Sequence, residues 1–222
     1  MRARTVAGVS HETIAKRLGR PPLTDRHALL AAARDIGFEG LTVGAVTAAV
    51  GVKYSTFYRH FPTLDAMVGS LVDLVFEKEL QLSAPGGSWQ DTVRDTCAEL
   101  GQMLDRNPGM GAAVVALPEL PIEVMAVYRR LTDALVGAGI PAHKAAMGAI
   151  YALETVTVAD LTTPGLGHSL QDRQRQVDAI DPPVDPGVRE ATARMIDQPG
   201  SAWTIYKIDL LIAGLEAQLA SS

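Results

Sequence analysis

The sequence predicts an all-α fold, on three observations. Apolar residues recur at i, i+3, i+4 and i+7 in one segment after another, no segment alternates apolar and polar residues as a half-buried strand would, and glycine or proline stands at the breaks. The expected architecture is an N-terminal three-helix unit containing a helix-turn-helix, followed by a larger helical body.

Residues 1–22 lack apolar periodicity and end in Lys16-Arg17-Leu18-Gly19-Arg20-Pro21-Pro22, which reads as a basic flexible arm. Thr24 offers an N-cap to a first helix carrying Leu29, Leu30, Ala33 and Ile36, with Gly37 as its stop. Thr42 caps a short second helix ending near Val50, where Gly51 can take the left-handed backbone that a sharp turn needs. The third helix is expected from about Lys53 to Phe61, ended by Pro62, and Thr63 caps a fourth whose Leu64, Met67, Val68, Leu71 and Val75 form one face, reaching about Leu82. After Pro85-Gly86-Gly87, Ser88 and Asp91 have the spacing of a capping box, opening a helix to about Arg106. Asn107-Pro108-Gly109 is a turn, and further helices are expected over 110–116, 122–136 and 142–161. Pro164, Pro182, Pro183 and Pro186 make 163–187 a long loop, and a last helix runs from near Ser201 to about Leu219. The division is then arm 1–22, helix-turn-helix unit 23–68 and C-terminal body 69–222.

A chain of 222 residues is long enough to bury a substantial core. Its single cysteine, Cys97, excludes an internal disulfide and a multi-cysteine metal site, and reads as a small buried hydrophobe. No apolar stretch approaches the length of a membrane span and no secretory signal opens the chain, so no membrane partner and a cytoplasmic location are expected. The five histidines show no paired ligand spacing, and neither a phosphate loop nor a nucleophile elbow is present, so no cofactor, no metal and no catalytic residue is expected. The net charge of −5 conceals an asymmetry: residues 1–62 hold nine Lys/Arg against four Asp/Glu, the remainder eleven against twenty-one. A basic head on an acidic body meets a polyanion with one end.

Two short helices joined by a tight glycine-containing turn, in a basic region, are the geometry that lets a second helix enter the major groove. On the third helix Phe57 and Phe61 share one face and turn Ser55, Tyr58 and Arg59 outward, with Tyr54, Thr56 and His60 at the flanks. Thr42, Tyr58 and His60 suit phosphates, and Lys53, Tyr54 and Ser55 suit base edges. The same spacing also fits a three-helix unit that merely packs, with Tyr54 and Tyr58 covering the core edge.

Thr42-Val43 and the run from Val46 through Ala49, Gly51, Thr56, Phe57, Tyr58 and His60 to Phe61 resemble the DNA-binding signature of the TetR family of bacterial regulators. The resemblance spans about 50 residues from Thr24. It implies an all-helical homodimer with a divergent ligand-binding C-terminal domain, repression as the usual mode, and phosphate or base contacts by Thr42, Thr56, Tyr58 and His60. Three residues depart from the pattern. Lys53 replaces a small hydroxyl residue that caps the recognition helix, Leu64 stands where a lysine often opens the fourth helix, and Thr47 replaces an alanine.

In the body, Ile208, Leu211, Ile212, Leu215 and Leu219 form a stripe on the last helix, and the segment 145–161 carries Ala149 and Leu153 among small residues that permit close approach. In the resembled family such a late pair builds a four-helix bundle with a second copy, placing two recognition helices about 34 Å apart on a palindromic operator of double-stranded DNA. Met103, Met110, Met125, Tyr128, Met147 and Tyr151 are candidates to line a cavity for a small-molecule effector, with ordinary core as the alternative. Glu154 and Asp160 are candidate polar anchors or interface residues. A DNA-binding regulator that needs no effector, or answers to another protein, is the competing reading, and an enzyme the more distant one.

Arg17 and Arg20 resemble arginines laid into a narrow minor groove. Deleting residues 1–20 is expected to weaken duplex binding and to lower the log–log salt slope by about 0.9 per lost phosphate contact. A salt titration giving both proteins one slope removes the arm from the interface.

Overall fold

The computed structural model describes residues 25–82, 87–165, 175–180, 184–196 and 200–220. The arm, with Arg17 and Arg20, lies outside them. The helices are α1 (Arg26–Ile36), α2 (Val43–Val50), α3 (Tyr54–His60), α4 (Leu64–Glu79), α5 (Trp89–Arg106), α6 (Met110–Ala116), α7 (Ile122–Gly137), α8 (Ala142–Gly165), α9 (Pro186–Ile196) and α10 (Gly200–Ala220). A further helical turn covers 175–178, and no strand occurs among the described residues.

Local chemistry sets most boundaries. Thr42 Oγ1 accepts from Ala45 N at 3.0 Å and Thr63 Oγ1 from Ala66 N at 3.0 Å, satisfying amides that a helix start leaves open. Gly51 takes φ 70°, ψ 34°, the left-handed conformation that lets α3 leave α2 at once. Ser88 and Asp91 form the full capping box, whose bonds from the Ser88 hydroxyl and backbone hold the Asp91 carboxyl below its ordinary range.

Some expectations shift. The cap of α1 is Asp25, not Thr24: its Oδ1 accepts from Ala28 N at 2.8 Å. Lys53 and Phe61 flank α3 rather than belonging to it. The fourth helix stops at Glu79, short of Leu82, where Arg106 Nη2 donates to the Glu79 carbonyl at 3.4 Å and takes up a terminal acceptor. The segment expected as a loop to 187 contains the start of α9, because Asp185 Oδ1 accepts from Gly187 N and Val188 N while Pro186 occupies the first helical position. The helix expected to end at 161 runs on to Gly165, past Pro164. A proline so near a helix end removes only one backbone bond.

Helices α1, α2 and α3 form the head around Leu29, Ala33, Val46, Phe57 and Phe61, all fully buried. In the body α8 packs against α5, α7 and α10, and one apolar cluster runs unbroken from the head into the body through α4. Within it, burial pushes the Cys97 thiol up to about 12, so it stays protonated and packs as an apolar group. Among the described residues no helix is long and apolar enough to cross a membrane.

Among the described residues, head and body meet at three places. Helix α4 serves both: Met67 and Leu71 are buried along its first half, Val75 and Phe76 along its second, and it packs against α1, α6 and α7. The Asp73 carboxylate of α4 also accepts from Glu123 N at 3.3 Å, capping α7, whose own Pro121 offers no side-chain cap. At the end of α4, Glu79 bonds Arg34 of α1 (3.0 Å) and Asn107 Nδ2 (2.9 Å) and pairs with Arg106 at 3.6 Å. Finally Gly109, at φ 81°, lies so close to the α1–α2 loop that a Cβ there would stand 2.7 Å from Glu39 Cγ and 3.2 Å from Glu39 N.

The Glu79 side chain is only 18% exposed, so its bonds are less screened than those of a surface pair. Replacing Glu79→Ala is expected to cost about 1–2 kcal/mol, seen as a fall in Tm of about 2–4 °C per kcal/mol. A melting temperature unchanged from the parent protein would show that the cluster does not tie the halves together.

Candidate nucleic-acid interface

Helix α3 is held from behind and open in front. Phe57 and Phe61 are fully buried with their rings 5.8 Å apart, while Tyr54 (58% exposed) and Tyr58 (53%) face outward. Lys53, Ser55 and Arg59 are exposed beside them, and Thr56 and His60 are half-buried at the flanks. The structure thus brings Lys53, Tyr54, Ser55, Thr56, Tyr58 and His60 together on one short element.

Thr42 opens the adjacent α2 and is exposed. Its Oγ1 already accepts from Ala45 N, but a hydroxyl that accepts can still donate, so the group can serve a second partner at no loss of the cap. Lys53 makes no side-chain cap, as its replacement of a hydroxyl residue implied; Thr56 N instead bonds Lys53 O at 2.9 Å. Thr47 is buried and its hydroxyl donates to Val43 O at 2.8 Å, so the exchange for alanine leaves no unsatisfied group.

Two positioning residues were not visible in the sequence pattern. Arg26 lies 4.2 Å over the Phe61 ring and donates to His60 O (3.1 Å) and Ser70 Oγ (2.6 Å), fastening the end of α3 to α1 and α4. Gly44 leaves room for Tyr54, whose Oη would be 2.8 Å from a Cβ at that position. Neither signal is periodic, and both arise only when α1, α2 and α3 are assembled.

In the body the six effector candidates do not converge. Met103 and Met110 are fully buried, and Met110 borders an interior cavity of about 40 Å³ with Phe76, Leu104, Val124 and Leu153. Met125 is exposed and Tyr128 packs half-buried on the core. Met147 (63% exposed) and Tyr151 instead line an open groove between α8 and α10, of about 500 Å³, with Leu210, Leu211 and Leu215. The interface candidates divide in the same way. Ala149, Ile208 and Ile212 are buried inside the protomer. Leu153 borders the interior cavity, Leu219 is half-buried, and the outward surface is carried by Met147, Tyr151, Tyr206 and Leu210. Glu154 is exposed. Among the described residues no cluster of His, Cys, Asp and Glu could hold a metal ion.

The family model for bacterial regulatory proteins of the tetR family matches residues 27–71, which span α1 to the middle of α4. The fold of the chain is similar to that of the Streptomyces coelicolor TetR family protein ActR in complex with (S)-DNPA, at 18% identity and a TM-score of 0.75, covering 88% of this chain and 98% of that one. It is also similar to BioQ bound to its double-stranded DNA operator, at 16% identity and a TM-score of 0.65 over 86% of this chain and 98% of that one. A further similar structure is TetR-Q116A from Acinetobacter baumannii AYE in complex with minocycline, at 16% identity and a TM-score of 0.60 over 88% and 98%. The matched segment contains the whole outward face of α3 together with Arg26's partners His60, Phe61 and Ser70.

Arg26→Ala removes a cation–π contact and two charge-assisted hydrogen bonds at once. It is expected to destabilise the head by about 1–2 kcal/mol in denaturant titrations and to lower duplex affinity without altering sequence preference, since Arg26 faces α3 rather than a groove.

Proposed function

We propose that this chain is a homodimeric repressor that grips a palindromic operator with α3 and lets go when a small apolar or amphipathic molecule binds the body. The observation that carries the reading is the division of α3 into a fully buried aromatic face and an exposed face of Lys53, Tyr54, Ser55, Tyr58 and Arg59. Tyr58 and His60, with Thr42, suit phosphates and fix orientation; Lys53, Tyr54 and Ser55, with Thr56 beside them, reach base edges. Arg17 and Arg20 of the arm would add minor-groove contacts.

A second copy of this chain is the proposed occupant of the α8–α10 groove. Leu210 is 74% exposed and Met147 63%, an apolar surface of the kind that a monomer rarely leaves to water. Closing it about a two-fold axis makes a four-helix bundle and sets two heads side by side, as a two-fold symmetric operator requires. Leu211, Leu215 and Leu219 support that face from its edge rather than forming its centre.

Release follows from the joints between the halves. A ligand that favours one arrangement of α5 and α6 acts on Asn107 and Gly109, and hence on Glu79 and Glu39, changing the spacing of the heads. A coupling of about 1–3 kcal/mol changes operator affinity several-fold to over a hundredfold. One observation favours the reading without an effector: the interior cavity, at about 40 Å³, has room for little more than a water molecule.

Selection of bound fragments from genomic DNA tests the proposal. Enriched fragments should share an inverted repeat with half-sites about 10–10.5 bp apart or a multiple of that, and Tyr58→Ala should reduce their retention. Leu210→Glu should give a monomer by light scattering and lose operator binding. Retention of no duplex even at low ionic strength sinks the reading.

A further inference from the structure

The geometry points to a second opening in the body, the cleft between α5 and the first turns of α10, as a binding site for a small lipophilic cation. The cleft holds about 420 Å³, within the usual range of about 300–1,000 Å³ for small-molecule sites. None of the effector candidates read from the sequence lies on it.

Its floor is apolar: Ala98, Gly101, Ile205 and Ile208, with the buried Cys97 beneath. Gly101 leaves the floor open, since a Cβ there would meet only Val156 Cγ1, at 3.9 Å. The rim is acidic. Arg94 at one end is taken by Asp209 at 2.7 Å, with Asp91 at 4.0 Å, so it offers no free positive charge. Asp95 and Asp105 also border the cleft, and among the described residues neither has an ion pair or hydrogen bond. They are ten positions apart on α5, so about 15 Å of helix separates them and they flank the apolar floor from both ends.

An anion would meet two uncompensated carboxylates, whereas a cation with an apolar body gains from both features. Its rings displace water from Gly101 and Ile205 while its charge stays in the field of Asp95 and Asp105, at an edge still reached by solvent. The second copy does not compete for the space, because the α8–α10 groove uses Leu210 and Gly214 and the cleft uses Ile205 and Ile208. Helix α5 runs from the cleft directly to Arg106 and Asn107, the partners of Glu79. That this occupant acts as the effector rests on the regulatory reading above; that the cleft binds it does not.

The test is calorimetric titration of the full-length, DNA-free protein with tetraphenylphosphonium and, separately, with tetraphenylborate, which has the same shape and the opposite charge. Saturable binding of the phosphonium alone is expected, at least tenfold weaker in the double variant Asp95→Asn/Asp105→Asn and absent in Gly101→Leu, whose side chain fills the floor. Thermal melting shows that each variant is folded; should Gly101→Leu fail to fold, the double variant decides. No saturable phosphonium binding, equal binding of both ions, or undiminished affinity in a folded variant overturns the proposal. Operator retention by the parent protein is measured alongside. Retention without phosphonium binding refutes the cleft and leaves the regulatory reading standing, and phosphonium binding without any retained duplex does the reverse.

Discussion

The carboxylate of Glu79 is where the two halves of the molecule are joined. It ends the one helix shared by head and body, takes a guanidinium from α1, and takes an amide and a second guanidinium from the corner after α5. A mostly buried carboxylate held by several donors has one favoured geometry, because every departure leaves charge unpaired in a poorly screened place. The orientation of α1 relative to α5 follows from it. Since Arg26 fastens α3 to α1 and α4, the outward-facing α3 inherits that orientation through two short links.

The same economy of contacts explains how so short a helix can hold one fixed face toward solvent. Seven residues make a helix that is marginal alone, and α3 has no side-chain cap at its start. Its order comes from outside: two aromatic rings sunk into the head, a cation lying over one of them, and a carbonyl gripped at its end. Most of what stabilises α3 is therefore on the side away from solvent, although Tyr58 also meets the Phe57 ring edge-on at 5.3 Å and Tyr54 rests beside Gly44.

What could be read from the sequence was mostly local. Thr42, Gly51, Thr63 and the Ser88–Asp91 pair act on amides within a turn of themselves, and their spacing announces them. The inward face of α3 was legible because Phe57 and Phe61 are the only large apolar residues on it besides two tyrosines that carry polar tips. Asp185-Pro186 was an equally local start signal, obscured by the neighbouring prolines that made the whole segment look irregular. The facing of α10 was not legible: apolar residues surround that helix, so Ile208, Ile212 and Leu210 look alike until the body shows that the first two are enclosed and the third is not. Arg26, Gly44 and Glu79 act across 27 to 45 positions of sequence or through the space a missing side chain leaves, and no periodicity reports such contacts.

Gly109 carries a consequence of another kind. The corner of the body approaches the backbone of Glu39 so closely that the gap is narrower than one methyl group needs. The alignment of the two halves is therefore encoded by a vacancy, and a single-codon change at 109 acts as a wedge. It would shift the head against the body while leaving every atom on the outward face of α3 chemically intact.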